Sequence, residues 1–261
     1  MKVLTVAGTR PELIRLSRLI PLLDEQADHV FVHTGQNVGT DLRDQFFDEL
    51  TIRAPDRQLS LPDASSGHRV AAVLAATDDI LADEQPDRLV ILGDTDSGLA
   101  AYVAARRGIP VFHLEAGNRA YDPRVPEEIN RRVIDHVSTV LMPYTRSSAA
   151  NLAAEGFAAH RVVVIGNPIG EVLRGARVHR EHDGRVELGI PTVLVRDVTE
   201  RPELLVCGAV LLGGRTEDTI VDAARRMLHD GPSGDVPDEY RIPDVAARAA
   251  AVVLGPIPEG P

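Results

Sequence analysis

The chain has 261 residues, which at about 150 residues per domain is nearly two domains, and its 28 basic and 39 acidic side chains give a net charge of −11. A surface this acidic has no general attraction for a phosphate backbone, so a broad nucleic-acid footprint is excluded. No apolar run approaches the ~20 residues that cross a bilayer, and one cysteine, Cys207, excludes an internal disulfide framework. We therefore expect a cytoplasmic protein with no membrane or nucleic-acid partner.

The first elements are predicted by a β-branched apolar run and the helical repeat that follows it. Residues 2–7 (KVLTVA) predict a strand. Thr9 is a helix-capping residue, and Glu12 stands at the capping-box position three residues later. Apolar residues then recur at helical spacing from Leu13 to Leu23, so we expect one helix after a tight loop.

This strand and helix alternation continues along the chain. Strands are predicted at 29–33, 88–92, 110–114, 139–142 and 161–165, and helices at 41–50, 69–83, 98–107, 126–136 and 147–155. Strands that alternate with helices over this length favour a parallel sheet covered on both faces, as in a Rossmann-like α/β domain.

The character of the sequence changes near residue 174. We divide the chain into a Rossmann-like domain (1–173), a charged linker (174–187) and a smaller α/β remnant (188–261). The remnant has predicted strands at 192–195 and 209–212 and helices at 216–229 and 243–253. His179 and His182 in the linker are metal-ligand types without a third ligand, and Cys207 is expected to be a small buried residue.

Candidate functional residues follow the predicted strands, where ligands bind in open parallel sheets. After the first strand, Gly8, Thr9 and Arg10 offer a close backbone approach, helix-start N–H groups and a guanidinium for a phosphate. The alternative is a plain capped loop. After strand 88–92, Asp94 is placed to be partly desolvated and to act as a base, or else it caps the next helix. The run Asp94–Asp96 also resembles the metal-binding acid pair of some glycosyltransferases.

Two further acids follow in the next segments. Glu115 and Arg119 come after strand 110–114, where a surface ion pair is the alternative interpretation. Glu127 lies in the first turn of helix 126–136 and shares a face with Arg131, so a solvated salt bridge is its alternative. Convergence of Asp94, Glu115, Glu127 and Arg10 at one sheet edge predicts proton transfer beside a phosphorylated leaving group.

Longer runs resemble the non-hydrolysing UDP-N-acetylglucosamine 2-epimerase family, especially the branch acting on UDP-N-acetyl sugars for capsule and O-antigen assembly. The matching runs are VAGTRPELIRLSRLI (6–20), VHTGQN (32–37), LGDTDSGLAA (92–101), HLEAGNRAYDPRVPEEINRRVIDH (113–136) and RDVTERPE (196–203). The long run at 113–136 is the most specific of them.

The resemblance implies two Rossmann-like domains facing a cleft, as in GT-B glycosyltransferases, and inversion of carbon 2 by elimination and re-addition of UDP without a metal or a nicotinamide. Asp94, Glu115 and Glu127 match the acids assigned to proton transfer, and Arg10 matches an arginine that contacts UDP. The expected substrate-binding set is Gly8, Thr9, Arg10, Arg15, His113, Arg119, Asn130 and Arg131, with no cofactor.

The chain departs from the family pattern in its second half. The family's catalytic histidine and its nucleotide-holding loop are absent, and RDVTERPE follows, so we expect an internal deletion of about half of the second domain. An epimerase with a reduced cleft and a non-catalytic remnant that binds a nucleotide sugar weakly are the two main hypotheses. A glycosyltransferase is a third hypothesis, which the sequence of residues 113–136 disfavours. We expect a homodimer, because the apolar strands 192–195 and 209–212 have lost their neighbours.

Overall fold

A six-stranded parallel sheet forms the larger part of the protein. The structure, a computed structural model, describes residues 1–36, 47, 50–62, 64–175, 191–234 and 236–258. The strands are β1 (Lys2–Ala7), β2 (Asp28–His33), β3 (Arg57–Gln58), β4 (Arg88–Leu92), β5 (Val111–Leu114) and β6 (Val140–Met142). They are arranged in the order β3-β2-β1-β4-β5-β6, all parallel. The predicted Rossmann-like α/β class is confirmed.

Helices cover both faces of this sheet. They are α1 (Arg10–Leu16), α2 (Leu19–Gln26), α3 (Ser66–Glu84), α4 (Ala100–Arg106), α5 (Pro126–Val137), α6 (Arg146–Ala154) and α7 (Pro168–Gly175). Because side chains alternate along a strand, Val3 and Ala7 of β1 join a core that includes α2, while Leu4 and Val6 join a second core with α3 and α4. The sheet is therefore buried on both sides, as its apolar strands predict.

The helix predicted after β1 is divided in two. Helix α1 ends at Leu16 and α2 begins at Leu19, and the Ser17 hydroxyl donates to the carbonyl of Ile14 at 2.8 Å. Pro21 has no N–H with which to reach the carbonyl four residues earlier, so a continuous helix would leave that carbonyl unpaired. Apolar residues keep their helical spacing across this interruption, so the sequence pattern alone does not predict the break.

The predicted strand at 161–165 is wrong as a full strand. A short 3₁₀ turn occupies Ala159–Arg161, and one bridge joins Val162 to Leu141. Two further backbone bonds run alongside β6, from the N–H of Val163 to Leu141 and from that of Ile165 to Pro143. Only a few residues after the turn are extended, which is too few for a regular ladder. The predicted helix at 41–50 falls almost wholly outside the described residues, as does the linker beyond residue 175.

The second half of the chain adds a small two-stranded sheet. It contains β7 (Thr192–Leu194), α8 (Pro202–Val206), β8 (Val210–Leu212) and α9 (Glu217–Asp230), followed by α10 (Val245–Leu254). Strands β7 and β8 are parallel. Val210 of β8 is fully buried, whereas Val195, the residue after β7, is 60% exposed. The domain boundaries proposed from the sequence stay a prediction.

Helix α10 folds back onto the larger sheet. Its buried residues join the same core as β1 and α2, and the Arg88 guanidinium at the start of β4 donates to the carbonyl of Gly255 at 2.7 Å. The last helix therefore completes the first unit. No described helix has both the length and the apolar character that spanning a membrane requires.

Candidate functional site

Three loops that carry predicted site residues meet at one edge of the large sheet. Strands β2 and β3 lie on one side of β1, and β4 to β6 lie on the other, so the strand order reverses between β1 and β4, where open α/β sheets bind ligands. Gly8 and Thr9 follow β1, Asp94 follows β4, and Glu115 follows β5. The sequence prediction that these residues converge therefore agrees with the order of the strands.

The loop after β1 is organised by a buried carboxylate. Glu12 accepts from the N–H groups of Gly8 at 2.6 Å and Thr9 at 2.9 Å, and from the hydroxyl of Thr95 at 2.5 Å. The capping role predicted for Thr9 and Glu12 is present, but the expectation of free N–H groups for a phosphate is wrong for Gly8 and Thr9. Their hydrogens are committed to Glu12, because a buried carboxylate needs donors.

Gly8 is required by close packing rather than by a backbone turn. A Cβ atom at this position would lie 2.1 Å from both the Ser97 and the Thr34 hydroxyl oxygens. These two hydroxyls bond to each other at 2.7 Å. The hydroxyl bond joins the residue after β2 to the turn after β4, and Gly8 in the loop after β1 packs against both hydroxyls.

Asp94 is a half-buried carboxylate with one strong ion pair. Its Oδ2 lies 2.6 Å from Nη2 of Arg131 on α5, and the Asn130 amide donates to its backbone carbonyl at 3.0 Å. Burial raises the pKa of Asp94 to about 6, and Glu115 and Glu200 add to the increase while Arg131 opposes it. A carboxyl with a pKa in this range exchanges protons near neutral pH.

Glu115 has the opposite electrostatic environment. It is 9% exposed, and its Oε1 accepts from Arg201 at 3.0 Å and from the Asn118 amide at 3.1 Å, while Arg15 lies 3.6 Å from its Oε2. Burial alone would raise the pKa of Glu115, but Arg15 and Arg201 outweigh it and hold the pKa below its ordinary value. Glu115 therefore stays ionised in the pH range in which Asp94 gains or loses its proton.

Two residues at this site carried no predicted role. Arg201 begins the turn before α8 and brings the second half of the chain to Glu115. The signal for it was present, since Arg201 lies inside the matching run RDVTERPE. Tyr144 is 97% buried near Glu115, Arg15 and Arg201, and its hydroxyl has no hydrogen-bond partner among the described residues. No sequence pattern marks Tyr144, because burial of a tyrosine after a strand is commonplace.

His113 and Arg119, both predicted to bind substrate, lie beneath the site. The His113 ring lies 2.8 Å from Asp135 on one side and 2.8 Å from the Gly93 carbonyl on the other. Arg119 donates to Asp135 and, with two nitrogens, to Glu155. Both side chains are at most 1% exposed.

The start of α5 separates its two adjacent acids. Glu127 is exposed, whereas Glu128 is buried and accepts from the N–H of Ala120 at 2.8 Å and from Arg132. Arg131 pairs with Glu128 and Asp94, so the alternative of a Glu127–Arg131 salt bridge is wrong. Three residues of spacing bring Glu128 under Arg131, while Glu127 points away from it.

The remaining candidates differ in where the fold places them. Arg10 is the exposed first residue of α1. Cys207 ends α8 and is half-buried rather than fully buried. His179 and His182 fall outside the described residues. Within the ranges that the structure describes, no three His, Cys, Asp or Glu side chains gather as metal ligands do.

The relatives of this chain are sugar-nucleotide epimerases. A family model described as UDP-N-acetylglucosamine 2-epimerase matches residues 22–187. The UDP-2,3-diacetamido-2,3-dideoxy-D-glucuronate 2-epimerase of Pseudomonas aeruginosa is 36% identical over 177 residues, which are 67% of this chain and 49% of that protein. The UDP-N-acetylglucosamine 2-epimerase of Methanocaldococcus jannaschii is 37% identical over 65% of this chain and 47% of its own length.

Solved structures share the fold. The UDP-N-acetylglucosamine 2-epimerase of Rickettsia bellii superposes with a TM-score of 0.83 at 26% identity, covering 95% of this chain and 94% of that one. The Neisseria meningitidis enzyme bound to UDP-GlcNAc superposes with a TM-score of 0.84 at 22% identity, covering 97% of this chain and 100% of that one. The chain spans about half the length of the curated relatives it matches.

Proposed function

Because the chain belongs to the UDP-N-acetylglucosamine 2-epimerase family, we propose that it is an isomerase that inverts carbon 2 of a UDP-N-acetyl-hexosamine. The observation that carries this proposal is the pair of acids at the ends of adjacent strands. Asp94 has a pKa raised to about 6, and Glu115 has a pKa held below its ordinary value. Two neighbouring carboxyls whose pKa values are driven apart are suited to separate roles in proton transfer.

The reaction requires a proton to leave carbon 2 and return on the opposite face. In the elimination, a carboxylate takes the carbon-2 proton, the bond from carbon 1 to the UDP oxygen breaks, and a 2-acetamidoglycal forms. In the return step, UDP re-forms the bond to carbon 1 while an acid delivers a proton to the other face of carbon 2. We assign these proton transfers to Asp94, Glu115 and Glu127, and the pKa of about 6 lets Asp94 change its protonation near neutral pH.

The leaving group is a diphosphate, and positive charge at the site supports the elimination. Arg10 lies at the exposed start of α1, next to the loop after β1, and we assign it to the UDP phosphates. Arg15, Arg131 and Arg201 stand against the two acids. Guanidinium groups next to a developing diphosphate stabilise its charge. Gly8 and Thr9 in the loop after β1 and Asn130 on α5 complete the proposed substrate-binding set. His113 and Arg119 are left out of this set, because both side chains are buried beneath the site.

A non-catalytic remnant is the less favoured function. A chain that had lost catalysis would gain nothing from keeping a buried acid at a raised pKa, because an ionised buried carboxyl lowers the stability of the fold.

We further propose that the protein acts in the cytoplasm, in keeping with its single cysteine. We also propose that it is a homodimer, because Val195 and Val206 remain exposed on the small second unit. Light scattering at twice the chain mass would support the dimer, and a monomer would contradict it.

Hydrogen exchange at carbon 2 tests the activity. The protein is incubated with UDP-N-acetylglucosamine in deuterated water, and the carbon-2 proton signal is followed by NMR. Loss of that signal, with or without the second epimer, is the expected result, because proton abstraction precedes net conversion. A folded protein that leaves the signal intact with this sugar and with its 2,3-diacetamido analogue would contradict the proposed function.

A further inference from the structure

The loops that carry Asp94 and Glu115 are joined by a buried charge network that the reaction described above does not use. His113 on β5 bonds to the carbonyl of Gly93, the residue before Asp94. Its other ring nitrogen bonds to Asp135 on α5. Asp135 in turn accepts from the N–H of Gly117 at 3.2 Å, two residues after Glu115. One imidazole and one carboxylate therefore bridge both acid-bearing loops.

The loop after β5 needs such support, because its backbone is strained. Glu115 has φ +71°, a left-handed conformation that residues other than glycine rarely adopt. Asn118 reaches back to the Glu115 carboxylate, and Ser148 and Asn151 of α6 bond to Asn118 and to the Gly117 carbonyl. Surrounding hydrogen bonds hold the strained residue in place.

The geometry also decides where the protons lie. Asp135 accepts from Arg119 and Gly117 on one oxygen and faces His113 with the other, and these partners outweigh its burial and lower its pKa. An ionised Asp135 and a backbone carbonyl are both acceptors, so the His113 ring donates from each nitrogen. With both ring nitrogens of His113 protonated, the connected set of His113, Asp135, Arg119 and the partly exposed Glu155 contains two positive and two negative groups.

We propose that His113 and Asp135 are positioning residues, with a doubly protonated His113 ring that fixes the Asp94 loop and the Glu115 loop in one relative arrangement. The proposal rests on the proposed function for its catalytic consequence. It departs from the expectation that His113 and Arg119 contact substrate, because their donors are already used inside the protein.

Nitrogen NMR of the wild-type protein tests the proton arrangement directly. Two protonated ring nitrogens for His113 at neutral pH, assigned by their loss in His113→Gln, are the expected result. A ring nitrogen without a proton would overturn the double bridge.

Amide hydrogen exchange tests the coupling of the loops. Asp135→Asn should increase exchange in residues 93–97 and in residues 115–119, while Val133→Ala on the same helix should change neither. If Asp135→Asn does not fold, His113→Gln serves instead. It keeps the hydrogen bonds from Arg119 and Gly117 to Asp135, and it should still increase amide exchange in residues 93–97. Increased amide exchange in residues 115–119 alone in Asp135→Asn would contradict the coupling of the two loops.

Kinetics separate positioning from substrate contact. A displaced acid should lower kcat for carbon-2 exchange by about 10²-fold with little change in KM, since misplacement of reacting groups by about 1 Å has effects of that size. A raised KM with unchanged kcat in His113→Gln would show a substrate contact and overturn the positioning role. Absence of exchange in the wild-type protein would instead contradict the proposed function, while the two NMR measurements would still decide the arrangement of the loops.

Discussion

Asp94 in the loop after β4 and Glu115 in the loop after β5 lie at the same edge of the sheet, yet their carboxyls have opposite electrostatic environments. Asp94 is balanced by a single close arginine, and burial raises its pKa to about 6. Glu115 is more deeply buried, but two arginines and an amide compensate it, and its pKa falls below the ordinary value. The difference shows that the number of positive partners, and not the depth of burial, decides which acid is ionised.

The partners of the two acids also come from different parts of the chain. Arg131 belongs to the same α/β unit as Asp94, whereas Arg201 reaches Glu115 from the small second unit. The second half of the chain therefore contributes to the site. Asp94 pairs with an arginine of the first unit, whereas Glu115 pairs with Arg15 of the first unit and with Arg201 of the second.

The largest expected effect is on catalysis when either acid is neutralised. Asp94→Asn and Glu115→Gln should each lower carbon-2 exchange by about 10²-fold or more, the usual contribution of a positioned proton-transfer group. Asp78→Asn, at an exposed acid paired with Arg107, serves as the matched control. Equal rates in the wild type and both site variants would remove Asp94 and Glu115 from the mechanism.

Stability should respond to Asp94 in a pH-dependent way. The pKa of Asp94 is about 6 in the folded protein and ~3.9 in an unfolded chain, so wild-type stability falls as the pH rises between these values. Asp94→Asn avoids this cost and should exceed the wild type in unfolding free energy by about 3 kcal/mol above pH ~6, with little difference below pH ~4.

Urea unfolding at a series of pH values gives this difference directly. A variant that is less stable than the wild type at neutral pH would show that the Asp94–Arg131 ion pair outweighs the cost of burial. The raised pKa of Asp94 would then have to be abandoned.

Loss of Arg201 should bring the two acids closer together in pKa. Arg201→Gln removes one of the two positive partners of Glu115, so the pKa of Glu115 should rise. Carbon NMR of the Glu115 carboxyl measures this rise. Arg215→Gln, at an exposed arginine of the same unit paired with Asp197, is the control. An unchanged pKa of Glu115 in Arg201→Gln would mean that the second unit has no electrostatic part in the site.

The smallest expected effect concerns Tyr144. Its buried hydroxyl has no hydrogen-bond partner among the described residues, so Tyr144→Phe should raise the unfolding free energy by about 1 kcal/mol. Thermal melting of the ligand-free protein measures this change. A lower melting temperature would show that the hydroxyl bonds to Glu115 and acts as a further donor to that carboxylate.

Sequence reasoning located the acids better than their surroundings. Asp94 and Glu115 could be predicted because each directly follows an apolar strand, and parallel strands end at one sheet edge. The pairing of these acids with Arg131 and Arg201 could not be predicted, because both arginines reach the acids through tertiary contacts that no spacing encodes. Arg131 itself was an expected binding residue, and Arg201 lies inside a matching run. The break at Ser17 was missed for a related reason, since apolar periodicity continues across a helix interruption. Glu127 matched its family by alignment, yet the structure buries its neighbour Glu128.

A carboxyl titration tests the central claim most directly. Carbon NMR of the side-chain carboxyls, with Asp94 and Glu115 assigned from the Asp94→Asn and Glu115→Gln variants, follows the ionisation of each acid in the wild-type protein. We predict that Asp94 titrates at about 6 and that Glu115 titrates below the ordinary range of a glutamate. Two acids that titrate together, or a Glu115 that titrates above Asp94, would contradict the division of roles on which the proposed epimerase activity rests.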